Sequence, residues 1–132
     1  MKLIFKKIFI ASDHAGYKLK KYIKKKLQKK KILNIDLGPN SNSSVDYPDF
    51  AKKVAHAVKR DNKSIGILVC GSGTGMSMTA NKIKGIRAAV CYNYVSTRLS
   101  RLHNNANIIA LGSRLTKKNV IFKLVEIFLK TK

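Results

Sequence analysis

The chain is short of cysteine, of acid and of long apolar runs, and each shortage closes a class of protein. Two cysteines in 132 residues cannot make a disulfide framework, so a reduced, cytoplasmic protein is expected. No apolar run has membrane-spanning length, and Lys6-Lys7 interrupts the apolar start, so neither a spanning helix nor a signal-peptide layout is expected. Only six residues are acidic against 28 Lys and Arg, a formal charge of +22. Such a charge ordinarily points to nucleic acid or an anionic membrane. Yet arginine supplies five of those 28, and neither arginine nor aromatic residues cluster as base readout and stacking require. Abundant Lys, Asn and Ile together are what an AT-rich genome places on neutral surfaces. Loose electrostatic adsorption at low salt is expected, not specific nucleic-acid binding.

Hydrophobic residues make up 45% of the chain, enough for a core, and the length predicts a single domain over residues 1–132. At its centre, Ile65 to Val69 is apolar and partly β-branched and reads as a strand buried on both faces. Cys70 ends that run; Gly71, Gly73 and Gly75 follow at alternate positions, then good helix formers from Met76 to Ile83. This order sets Cys70 beside a helix N-terminus, where glycines let backbone N–H groups approach a ligand. The helix start suits an anion and favours thiolate. The functional reading is a base or nucleophile beside an oxyanion cradle; the plain one is a tight turn with an inert thiol. The dinucleotide fingerprint fails, because Met76 stands where its third glycine belongs and no acid follows about twenty residues on. The P-loop pattern fails as well, since no Gly-Lys-Ser/Thr closes the run.

Around this centre, strand-like runs alternate with helical periodicity. Leu3–Ala11 is expected as a strand, ended by the polar turn Ser12-Asp13-His14-Ala15-Gly16. Tyr17–Lys31 reads as a helix with Leu19, Tyr22, Ile23 and Leu27 inward and lysines on its solvated faces. Ile32–Leu37 follows as a strand and residues 38–44 as a loop. Asp46-Tyr47-Pro48 opens a helix with Phe50, Val54, Ala57 and Val58 inward. Gly85–Cys91 and Asn104–Leu111 are further strands, with a helix over Tyr94–His103 between them. A last helix over Lys117–Leu129 turns Val120, Leu124, Ile127 and Phe128 inward. The alternation predicts an α/β fold: a Rossmann-like three-layer sandwich with a five-stranded parallel sheet.

Ligands bind such sheets outside the carboxyl ends of the strands, where Asp13, His14, the Cys70–Gly75 loop and Gly112-Ser113-Arg114 fall. His103 and Asn104 precede the fifth strand and belong at the opposite edge. They join the site only through a long loop or from a second subunit. Cys91 reads as core, and His56, in mid-helix, as structural.

In these pieces the chain resembles type B ribose-5-phosphate isomerase, a family shared with the galactose-6-phosphate isomerase subunits. The resemblance rests on Ser12-Asp13-His14-Ala15-Gly16, Asp46-Tyr47-Pro48, Cys70-Gly-Ser-Gly-Thr-Gly75, Ala80-Asn81-Lys82, Gly85-Ile86-Arg87, His103-Asn104-Asn105 and Gly112-Ser113-Arg114, in order and in register. It implies interconversion of ribose 5-phosphate and ribulose 5-phosphate through an enediolate, without metal or organic cofactor. By position, Cys70 matches the base that moves a proton between C1 and C2, and Ser72 a hydroxyl that bonds the reacting oxygens. The backbone of Gly71, Ser72, Gly73, Thr74 and Gly75 matches the enediolate cradle. His103, assisted by Asp13, matches the residue that opens the furanose ring. His14, Asn104 and Arg114 match contacts to sugar or phosphate, and Tyr47 lines the pocket. A homodimer with sites at the subunit interface is also implied, which resolves the placement of His103.

The family usually continues past its last helix with a Gly-Gly-Arg-His-type segment whose arginines bind phosphate, whereas this sequence ends at Lys132. Weaker phosphate anchoring is therefore expected, with Lys117 or Lys118 as candidate substitutes. The rival readings are a hexose-6-phosphate isomerase for allose or galactose 6-phosphate, and a non-catalytic basic protein binding sugar phosphate or nucleic acid on the same scaffold. A Cys–His hydrolase would also use a thiol and a histidine, but nothing marks an Asn or Asp as its orienter. Intact Cys70, His103 and Asp13 favour catalysis.

Overall fold

Five strands and five helices alternate along residues 5–132, the part of the chain that the computed structural model describes. They are β1 (Lys7–Ser12), α1 (Tyr17–Lys29), β2 (Asn34–Asp36), α2 (Tyr47–Arg60), β3 (Ser64–Cys70), α3 (Thr74–Ala80), β4 (Ala88–Val90), α4 (Tyr94–Leu102), β5 (Ile108–Gly112) and α5 (Lys118–Lys130). The strands form one all-parallel sheet in the order β2-β1-β3-β5-β4. At its centre all seven residues of β3 are buried, as an unbroken apolar run requires. Ile65, Ile67 and Val69 pack with α1 and α5, whereas Leu68 and Cys70 pack with α2 and α3. The period of two therefore turns the Cys70 side chain to the α2–α3 face. Among the described residues no helix is long and apolar enough to cross a membrane.

Several boundaries differ from the sequence expectation, for local reasons. Helix α1 stops at Lys29, because Ile32 N–H donates to the Leu27 carbonyl and Lys31 N–H to that of Gln28, both at 3.0 Å. Lys31 lies at φ 58°, so a lysine takes the left-handed place that glycine usually fills in a Schellman closure. Strand β2 consequently begins only at Asn34. Of the expected first strand, Leu3 and Ile4 lie outside the described residues, and pairing starts at Lys7. Helix α3 begins at Thr74, two residues early, with Gly73 at φ 81° as its N-cap. Bonds from the Asn81 side chain to Ala88, and from that of Asn107 to Arg87 and Gly85, hold the flanks of β4 and β5 as loops. Inward faces shift by a residue or so: Ala51 and Ala55 are buried where Ala57 is half-buried, and Ile121 and Val125 are buried while Val120 is exposed.

The lysines of α1 are not all on solvated faces. Lys20 is completely buried; its Nζ donates to Asp36 Oδ1 at 3.0 Å and to the Pro39 carbonyl at 2.5 Å. Lys24 Nζ donates to Asp36 Oδ2 at 2.9 Å. Burial holds Lys20 below the ordinary lysine pKa, and its bond to Asp36 offsets this only in part. Burial also pushes the Asp36 carboxyl up, but bonds from Lys24, the Gly38 amide and Lys20 outweigh it, leaving Asp36 below the usual carboxylate value. A second buried cation, Arg101 of α4, donates to the carbonyls of Ala106 and Thr131 and lies against the rings of Phe5 and Phe128.

Candidate active site

Cys70 is the last residue of β3 and pairs in register with Gly112 of β5, so its position is fixed by the centre of the sheet. It is a free thiol, 5% exposed, and its Sγ accepts the Gly73 N–H at 3.1 Å. The left-handed turn at Gly73 makes this contact possible; a Cβ there would be strained and would press on the Ala110–Leu111 backbone. Ser72 is exposed, and its Oγ accepts the Thr74 N–H at 3.2 Å. The loop thus folds back on its own sulfur and hydroxyl before α3 begins.

The neighbouring strand ends close the site. The Asp13 N–H donates to the Val69 carbonyl at 3.1 Å, and Asp13 Oδ1 accepts the Gly16 N–H at 2.9 Å. After β5, the Ser113 N–H donates to the Cys70 carbonyl (2.8 Å) and the Arg114 N–H to the Gly71 carbonyl (3.0 Å). The Arg114 side chain lies over Gly71, and the Tyr47 ring lies over Gly75, where a side chain would collide with it. Asp13, Tyr47, Cys70, Gly71, Ser72, Gly75, Arg114 and Leu115 together line a cleft of about 330 Å³. Gly73 and Thr74 are not among the residues lining this cleft. His14 is exposed beside it, with Nδ1 accepting the Val45 N–H at 3.3 Å, so its neutral ring carries the proton on Nε2.

The remaining expected residues stand elsewhere. His103 caps the end of α4 and is exposed, and Asn104 follows it at the amino-terminal edge of the sheet. There the Asn104 carbonyl accepts from Arg87 Nε, and Asn104 lines a separate hollow with Asn81, Arg87 and Ala106. Within one chain these residues and Cys70 occupy opposite edges, as the topology predicts. Cys91 is buried, with burial raising its pKa and bonds from Thr97 and Ser100 opposing that rise. His56 lies within α2, as expected, and is exposed. Leu115 was not singled out by the sequence, because nothing in its own surroundings marks it; it enters the cleft through the turn after β5. Among the described residues no three His, Cys, Asp or Glu side chains gather as a metal-ligand set.

Residues 8–132 match the profile of the ribose/galactose isomerase family. Ribose-5-phosphate isomerase B of Escherichia coli is 42% identical over 124 residues, which covers 94% of this chain and 83% of that protein. Among solved structures, ribose-5-phosphate isomerase B of Clostridium thermocellum superposes with a TM-score of 0.93 at 50% identity, covering 96% of this chain and 85% of the other. The Mycoplasma genitalium ribose-5-phosphate isomerase B, solved with bound ribulose 5-phosphate, gives a TM-score of 0.92 at 45% identity, covering 99% and 87%.

Proposed function

The chain belongs to the ribose/galactose isomerase family, and from that premise we propose that it interconverts ribose 5-phosphate and ribulose 5-phosphate as one isomerase domain of the non-oxidative pentose phosphate pathway. The observation that carries this reading is a buried thiol held by a glycine loop on the wall of a cleft large enough for a pentose phosphate. Relatives named for this activity, one of them solved with ribulose 5-phosphate, support it.

In this reading His103, with Asp13, opens the furanose ring by moving a proton between the ring oxygen and the C1 hydroxyl. Cys70, as thiolate, takes the C2 proton from the open aldose and returns it to C1, and the hydroxyl protons exchange so that the ketose results. The enediolate oxygens carry the charge in between and need preorganised donors. The Gly73 and Thr74 amides are already engaged with Cys70 Sγ and Ser72 Oγ. The oxyanion therefore falls to the Gly71, Ser72 and Gly75 amides and to the Ser72 hydroxyl. Arg114, His14 and Asn104 hold sugar and phosphate, and Tyr47 covers the pocket.

His103 and Asn104 come to this site from a second copy of the chain, so the working unit is a homodimer. Exposed apolar side chains at Tyr94, Val95 and Leu102 on α4, the helix that ends at His103, support a partner contact along that helix. A reducing, cytoplasmic setting suits two free thiols.

The test is incubation with ribose 5-phosphate, following ribulose 5-phosphate, beside allose 6-phosphate and galactose 6-phosphate. Turnover of the pentose phosphate with the highest kcat/KM is expected. Turnover of a hexose phosphate alone would move the assignment to the hexose branch of the family, and no turnover of any would leave a binding protein.

A further inference from the structure

The loop between β2 and α2 reaches the active site at its α2 end: Val45 bonds His14, and Tyr47 follows as the first residue of α2. Its fixation comes from α1. Lys20 Nζ binds Asp36, at the end of β2, and the Pro39 carbonyl; the Tyr17 hydroxyl donates to the Asn40 carbonyl at 3.0 Å. The Gly38 N–H returns to Asp36 Oδ1 at 2.8 Å, and the Gly38 carbonyl accepts the Ser12 N–H at 3.1 Å, next to Asp13. One buried ammonium therefore joins α1, the end of β2 and the loop whose later residues orient His14. Burying a lysine is costly unless its protons are bonded, and an apolar residue would fill the same space without that cost. A hydrophobic residue would leave the Pro39 carbonyl without its donor and the loop free to drift.

We propose that Lys20 is a positioning residue for substrate recognition: through Pro39 and the 38–45 loop it sets the bond that presents His14 Nε2–H to the sugar phosphate. This inference rests on the reading above, in which His14 contacts substrate. Lys24 shares Asp36 but does not touch the loop, which separates the loop's role from that of the ion pair.

The experiment is steady-state kinetics with ribose 5-phosphate for Lys20→Met, Lys24→Met, His14→Ala and the Lys20→Met/His14→Ala double variant. Lys20→Met is expected to raise KM by about ten-fold, the scale of one charged hydrogen bond, with kcat changed far less. Lys24→Met leaves KM unchanged. In the His14→Ala background Lys20→Met adds nothing further to KM, because both act through one contact. Should Lys20→Met not fold, Tyr17→Phe removes only the exposed tie to Asn40 and raises KM in the same direction. An unchanged KM in a folded Lys20→Met protein, or effects that multiply in the double variant, overturns the proposal while leaving His14 in the site. If His14→Ala itself leaves KM unchanged, the substrate contact fails and the proposal fails with it.

Discussion

At Cys70 the proposed chemistry turns on a single proton. The thiol sits where the sheet cannot move it, with one loop amide on its sulfur, so a variant lacking it should keep the cleft and, under the proposed mechanism, lose the base. Cys70→Ala should lower kcat by about two to four powers of ten, while calorimetric titration still detects sugar-phosphate binding. Near-native turnover would exclude the thiol as base. This residue, the glycine loop, Asp13 and Arg114 were legible in the sequence because each is written locally, as a strand end followed by turn residues. Lys20 was not legible. It is one lysine among many, and only the meeting of α1 with the end of β2 singles it out.

Elements carry the next layer of consequences. The tie between α1 and β2 makes stability respond to acid: Asp36 titrates lower in the folded chain than the ordinary carboxylate. The fold thus favours its ionised form. That contribution is complete above roughly pH 5, and it is lost as pH falls through the folded value, below about 3.9. Thermal unfolding followed between those conditions should show a steep loss in the native protein and a shallower one in Asp36→Asn. Equal slopes would mean that the carboxylate is not held. Element ends were where sequence reading slipped. A lysine in the left-handed position after α1 gives no signal that glycine would have given, and side-chain bonds from Asn81 and Asn107 trim two strands without changing their apolar pattern.

For the whole molecule, alternating runs were enough to predict a parallel α/β sheet, and the placement of His103 opposite Cys70 followed from it. The order β2-β1-β3-β5-β4 was not legible, because strands of similar composition carry no local label for their neighbours. If the site is shared between two copies, inactive Cys70→Ala and His103→Ala proteins should complement each other after subunit exchange. Roughly a quarter of native activity is expected, since half the dimers are mixed and each mixed dimer holds one intact site. No recovery, once exchange is verified by mass, would put both residues in one chain's site.

Arg101 carries a different consequence, one of time. It gathers Phe5, Ala106, Phe128 and Thr131, so the strand-leading and helix-ending segments of the described chain meet on one guanidinium. The Ala106 bond is local, but the bond to Thr131 spans 30 residues and the ring of Phe5 lies further still along the chain, so these contacts are expected to close late. Arg101→Met strands two carbonyls, a loss of about 2 kcal/mol. That loss should appear almost wholly as faster unfolding, roughly thirty-fold, with refolding barely altered. Stopped-flow chevrons measure both arms, and a matching fall in the refolding rate would place Arg101 in the folding nucleus. Otherwise this cation governs the lifetime of the native state and has little part in reaching it.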